Sequence, residues 1–141
     1  MNRSKARELF MQMLFQMEAQ NDFSDEAGKA FLDQCEDPGK HRDYLEKSFA
    51  AFAAHKFDID ELLLKISDDW DPERMAKVDL AVLRVAITEM LYMDGDIPAS
   101  VSINEAVSMA KKFSTEESGK FVNGMLRTVF RTCVENGKSD D

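Results

Sequence analysis

The chain has 141 residues, of which 44% are hydrophobic and 32% charged, and it carries a formal net charge of −9. That length suits one domain spanning 1–141 with its own core, and the composition is far from the low-apolar signature of disorder. No run of about 18 apolar residues predicts a membrane span, and the acidity argues against a general nucleic-acid sponge, whose affinity rests on Lys and Arg.

Glycine is scarce, proline stands only at 38, 72 and 98, and no apolar alternation flanks a hairpin turn, so the chain reads as all-α. The start, MNRSKARELFMQMLF, has no continuous apolar h-region and is not expected to be an export signal. A first helix is predicted over about Ser4 to Ala19, with Ala6, Leu9, Phe10, Met13, Leu14 and Met17 as its core stripe. A second covers about Asp25 to Gln34, ended by Asp37-Pro38-Gly39. A third runs from about His41 to Lys56, with Tyr44, Leu45, Phe49, Phe52 and Ala53 inward. Asp58 or Asp60 is then expected to cap a short stretch from Ile59 to Ile66.

Pro72 suits the first turn of the next helix, with Asp71 as its cap. Between Val78 and Met93 little interrupts the apolar surface, so this is expected to be the central helix, packed on several sides. Asp94-Gly95-Asp96 ends it, and a helix from about Ser100 to Phe113 follows, with Ile103, Ala106, Val107, Ala110 and Phe113 as its stripe. Ser114 and Glu117 form an S-x-x-E capping box for the last helix, whose core face is Phe121, Val122, Met125, Leu126, Val129, Phe130 and Cys133.

Material for catalysis is thin. His41 and His55 have no companion Cys or Ser motif, and there is no phosphate-cradling Gly-rich loop, no H-E-x-x-H and no G-x-S-x-G. Cys35 and Cys133 lie far apart in no metal-binding spacing, which fits a reducing cytosol and predicts neither disulfide nor zinc site. Asp68, Asp69 and Asp71 stand at a helix start, where capping explains them better than a metal does. No cofactor, metal or catalytic residue is expected.

The charge is uneven. Residues 1–17 hold three basic and one acidic side chain, residues 18–73 six basic against sixteen acidic, and residues 111–131 five basic against two acidic. Counting ~100° per residue, Phe15 falls about 190° from the centre of the first helix's stripe, beside Gln12 and Met11, and should point outward. An outward ring behind Arg3, Lys5 and Arg7 can stack on a base or pack against a neighbouring helix or subunit. On the last helix Lys120, Gly124, Arg127 and Arg131 form an outward basic line. Arg127 and Arg131 complement the helix dipole, as Lys111 and Lys112 do on the preceding helix, but Lys120, in the first turn, does not.

Three blocks, RSKARELFMQMLFQ at 3–16, VDLAVLRVAITEML at 78–91 and IPASVSINEAVSMAKKFSTEESGKFVNGML at 97–126, resemble the NusB family of bacterial transcription antitermination factors across essentially the whole chain. The resemblance implies an all-helical fold of about seven helices in two packed three-helix groups and a non-enzymatic role. It also implies a heterodimer with the ribosomal protein NusE that binds boxA RNA of rRNA leaders within the RNA polymerase antitermination complex. Carried over position by position, the RNA surface comprises Arg3, Lys5, Arg7, Gln12, Phe15, Lys112, Phe113, Glu117, Ser118, Lys120 and Phe121, and the NusE surface lies around Trp70, Glu73, Asp79 and Glu89. Ser4 stands where the family is usually basic, Phe15 where tyrosine is common, Ser114 where glycine is usual and Arg127 where an acid is usual. The alternative is a protein-interaction adaptor or homodimer with little RNA affinity of its own.

Overall fold

The computed structural model describes residues 3–35, 38–66, 75–93 and 97–135. Among these residues six α-helices follow one another: α1 (Arg3–Gln20), α2 (Asp25–Gln34), α3 (Pro38–Ile66), α4 (Lys77–Tyr92), α5 (Ala99–Phe113) and α6 (Glu116–Val129). The last runs into a π-helical segment, Phe130–Glu135. No strand occurs among the described residues. The expected starts around Pro72 and Asp71, like Trp70 and Glu73, lie outside the described residues.

The helix α4 occupies the centre, packing against α1, α3, α5 and α6. Every residue from Asp79 to Glu89 is buried, which is why its sequence lacks a polar face. Around it α1 contributes Ala6, Phe10, Met13, Leu14 and Met17, as its stripe predicts. Met11, expected outward beside Phe15, is also buried. The apolar surface of α1 is therefore wider than one stripe. The ring of Phe10 meets Tyr44 and Phe52 edge-on, with centroids 6.2 and 6.5 Å away.

The two expected helices, before and after residue 57, follow each other without a loop and meet at a kink. The helix α3 continues to Ile66 with a kink at His55, where φ is −125° and ψ 15°. The ring of His55 lies flat on Tyr92 of α4, centroids 3.9 Å apart. Neither expected cap is one. Asp60 instead takes a two-pronged contact from Arg84, at 3.1 Å from Nε and 3.0 Å from Nη2, while Arg84 Nη1 donates to Glu18 at 2.7 Å. One guanidinium thus joins α4, α3 and α1.

The link between α5 and α6 differs from its expected form by one residue. The Ser114 backbone N–H donates to the Ala110 carbonyl at 2.9 Å and so closes α5, while Thr115 Oγ1 accepts from the Ser118 N–H at 3.0 Å and caps α6. The capping box read at Ser114 and Glu117 is therefore corrected to a Thr115 cap. Thr115→Ala is expected to cost about 1 kcal/mol and Ser114→Ala less. Urea unfolding of the two variants measures the difference, and equal losses would return the cap to Ser114.

Candidate nucleic-acid interface

Two of the sequence-expected RNA residues are interior. Arg7 is 4% exposed; its Nε donates to Glu89 at 2.7 Å and its Nη1 to Glu105 at 3.0 Å. Ser118 is buried and donates to Asp79 Oδ2 at 3.2 Å. Both side chains are tied to neighbouring helices, Arg7 to α4 and α5 and Ser118 to α4. Of the residues expected to meet a protein partner, Glu89 is 2% exposed and accepts from Arg7, from the Tyr44 hydroxyl and from Ser102 Oγ at 2.8 Å. This network pushes the Tyr44 phenol upward, first through burial and then through the Glu89 charge. Asp79 is buried as well. Both carboxylates cross-link the bundle, a role that sequence position alone does not distinguish from a surface acid.

Asp79 anchors the start of α6 to α4 through Ser118, but its Oδ1 is buried without a hydrogen-bond partner. Burial raises its carboxyl above 3.8, and the Ser118 hydrogen bond opposes that rise. The folded state therefore holds this proton more tightly than the unfolded chain. The stabilisation it gives is present below pH 3.8 and lost as pH rises through the higher folded value. Asp79→Asn keeps an acceptor for Ser118 without the charge. It is expected to raise the melting temperature at neutral pH and to leave it unchanged at about pH 3. Melts at both values test this, and a drop at neutral pH would show that the charge itself is needed.

Lys5, Gln12, Phe15, Lys112 and Phe113 gather at one side. The end of α5 lies against the start of α1, where Lys112 Nζ donates to Glu8 at 2.9 Å, and Lys5 Nζ lies 4.0 Å from the same carboxyl group. Beyond them Phe15 and Phe113, 38% and 36% exposed, line a groove of about 440 Å³ together with Met11, Gln12, Gln16 and Val78. Lys112 also stands 5.2 Å from the centre of the Phe113 ring. Arg3, half-buried, lies over the Tyr44 ring at 5.0 Å. Across the short link, Lys120 and Glu117 are exposed and 3.7 Å apart. Phe121, expected in the core of α6, is instead exposed beside them, and Val122, Met125, Leu126 and Val129 form that core. A Cβ on Gly119 would lie 2.7 Å from the Lys111 side chain, which would then have to shift.

The groove adds Met11, Gln16, Ala19, Gln20 and Val78 to the expected set. The spacing of Gln12, Gln16 and Gln20 at i, i+4 and i+8 marks that face in the sequence. Chemically, the surface offers aromatic faces, amide groups and ammonium groups: stacking, base-edge hydrogen bonds and phosphate contacts. Among the described residues no group of three or more His, Cys, Asp or Glu could hold a metal ion, and no helix is long and apolar enough to cross a membrane.

The model of the NusB family matches residues 4–131. Over 142 residues the chain is 40% identical to the transcription antitermination protein NusB of Thermoanaerobacter pseudethanolicus, covering 100% of this chain and 99% of the relative. With that of Agathobacter rectalis it shares 44% identity over 129 residues, covering 89% and 97%. Among solved structures, T. maritima NusB superposes with a TM-score of 0.86 at 29% identity, covering 100% of this chain and 99% of that one. A crystal structure of the antitermination factors NusB and NusE in complex with double-stranded RNA matches in fold, with a TM-score of 0.76 at 23% identity over 92% of this chain and 96% of that one.

Proposed function

This chain belongs to the NusB family, and from that premise we propose that it binds boxA-type sequence in nascent rRNA leaders together with NusE. In this reading it acts without catalysis in the cytoplasm, with residues 1–141 as one RNA-binding unit that joins the RNA polymerase antitermination complex and supports rRNA transcription and maturation. One observation carries the reading: two half-exposed phenylalanine rings, Phe15 of α1 and Phe113 of α5, line one groove directly beside Lys112. Rings accessible to solvent next to ammonium groups suit unstacked bases on a single strand better than a duplex, whose bases are already stacked.

Lys5, Gln12, Lys112, Phe113, Lys120 and Phe121 are the proposed contacts with Phe15, and Glu117 flanks Lys120. Asp79, Ser118, Arg7 and Glu89 hold the helices that present them. The NusE contact is proposed around Trp70 and Glu73.

Fluorescence anisotropy with labelled boxA-type single strands, a scrambled strand and a duplex, each with and without NusE, tests the proposal. Tightest binding is expected for the boxA strand with NusE present. Binding of NusE with no measurable RNA affinity in either condition would favour a protein-interaction adaptor.

A further inference from the structure

Every lysine at this corner has a carboxylate partner, but one pair is built differently. Lys111 lies 3.8 Å from Glu116 and Lys120 3.7 Å from Glu117, and both glutamates are exposed surface groups. Such pairs are loose and readily screened. Glu8 is only 16% exposed, while the Lys112 side chain it holds at 2.9 Å is 61% exposed. A sheltered carboxylate thus sits behind an ammonium group that faces solvent. The Lys5 ammonium lies 4.0 Å from the other oxygen. Glu8 is also the sixth residue of α1, past the first turn where the helix dipole favours an acid.

We infer that Glu8 is an internal competitor for RNA phosphate, holding Lys112 in reserve and weakening binding by any strand that offers charge alone. A phosphate arriving at Lys112 meets an ammonium whose charge is already offset and a fixed negative charge that cannot swing away. Only a strand that also gains from stacking in the neighbouring groove overcomes that offset. Glu8 thereby converts a basic corner into one selective against other polyanions. This inference rests on the RNA reading above.

The test is a double-mutant cycle on the full chain, read by anisotropy with the same boxA-type single strand across a salt series. Glu8→Gln keeps the shape of the side chain and removes its charge. It is expected to tighten binding about two- to fivefold at low salt, the range of an exposed ion pair. The log–log salt slope should steepen by about 0.7, as one more phosphate contact is made. Lys112→Gln should weaken binding in both backgrounds, and by the larger factor in the Glu8→Gln background, where it abolishes that gain. If Glu8→Gln binds as the wild type does, or more weakly, Glu8 is an orienting partner of Lys112 and the inference fails while the RNA reading stands. An equal Lys112→Gln effect in both backgrounds also overturns it, since the gain would then be one of net charge only. If the wild-type chain binds no RNA, the functional reading fails and the inference falls with it.

Discussion

Replacing Arg7 with methionine is expected to lower stability by about 3–5 kcal/mol, the cost of stranding one partner of a buried ion pair. The guanidinium is the positive charge that Glu89 meets, at 2.7 Å, deep between α1 and α4. Without it the Glu89 carboxylate keeps the hydroxyl hydrogen bonds from Tyr44 and Ser102 but is left enclosed without its counter-charge. Adding Glu89→Gln to the Arg7→Met variant should recover much of the loss. The amide oxygen still accepts, and no charge remains unpaired. Urea unfolding of the two single variants and the double provides the cycle. A loss below about 1 kcal/mol for Arg7→Met would mean that the pair behaves as a solvated surface contact.

The second large effect concerns RNA. Phe15→Ala is expected to weaken single-strand affinity by about 1–3 kcal/mol while leaving the salt dependence nearly unchanged, because a lost stacking contact releases no counterions. Lys120→Glu should behave in the opposite way: affinity falls at low salt, the slope becomes shallower by about 0.7, and the difference shrinks as salt rises. Both side chains are exposed, so circular dichroism should find both variants folded. If the two changes alter the slope equally, the division between a stacking groove and a phosphate-binding corner is wrong.

Much of this architecture is legible in the sequence because burial leaves a periodic trace. Val78 to Tyr92 reads as central since hardly any polar residue interrupts it, and α4 is buried from Asp79 to Glu89. Phe15 reads as outward by angle alone and is half-exposed. The failures have a common physical cause. Arg7, Asp79 and Glu89 are charged, and charge in a sequence suggests solvent; Arg7 and Glu89 are interior as a pair, and Asp79 is interior with one hydrogen bond from the distant Ser118. Such pairing across 82 or 39 residues leaves no local signature. The break inside Pro38–Ile66 is visible in the sequence, but its form, a kink without a loop or a new cap, is not. Asp58 and Asp60 imitate caps, whereas Asp60 serves Arg84 and the kink is centred at His55. Ser114 and Thr115 are adjacent hydroxyl residues, each chemically able to cap, and only the backbone decides between them. The groove itself needed the fold, since Phe15 and Phe113 meet only when α5 ends against α1.

The proposed RNA face is formed by the outer side of α1 and the α5–α6 link. An amide-resolved NMR titration of the chain with a boxA-type strand tests it most directly, because it reports where the ligand sits without altering a residue. Shifts are expected to cluster at Lys5, Gln12, Phe15, Phe113 and Lys120, with the exposed outer face of α3 around Phe57 and Leu64 unmoved. Shifts centred on α3, with the α1 and α5–α6 amides unchanged, would contradict it.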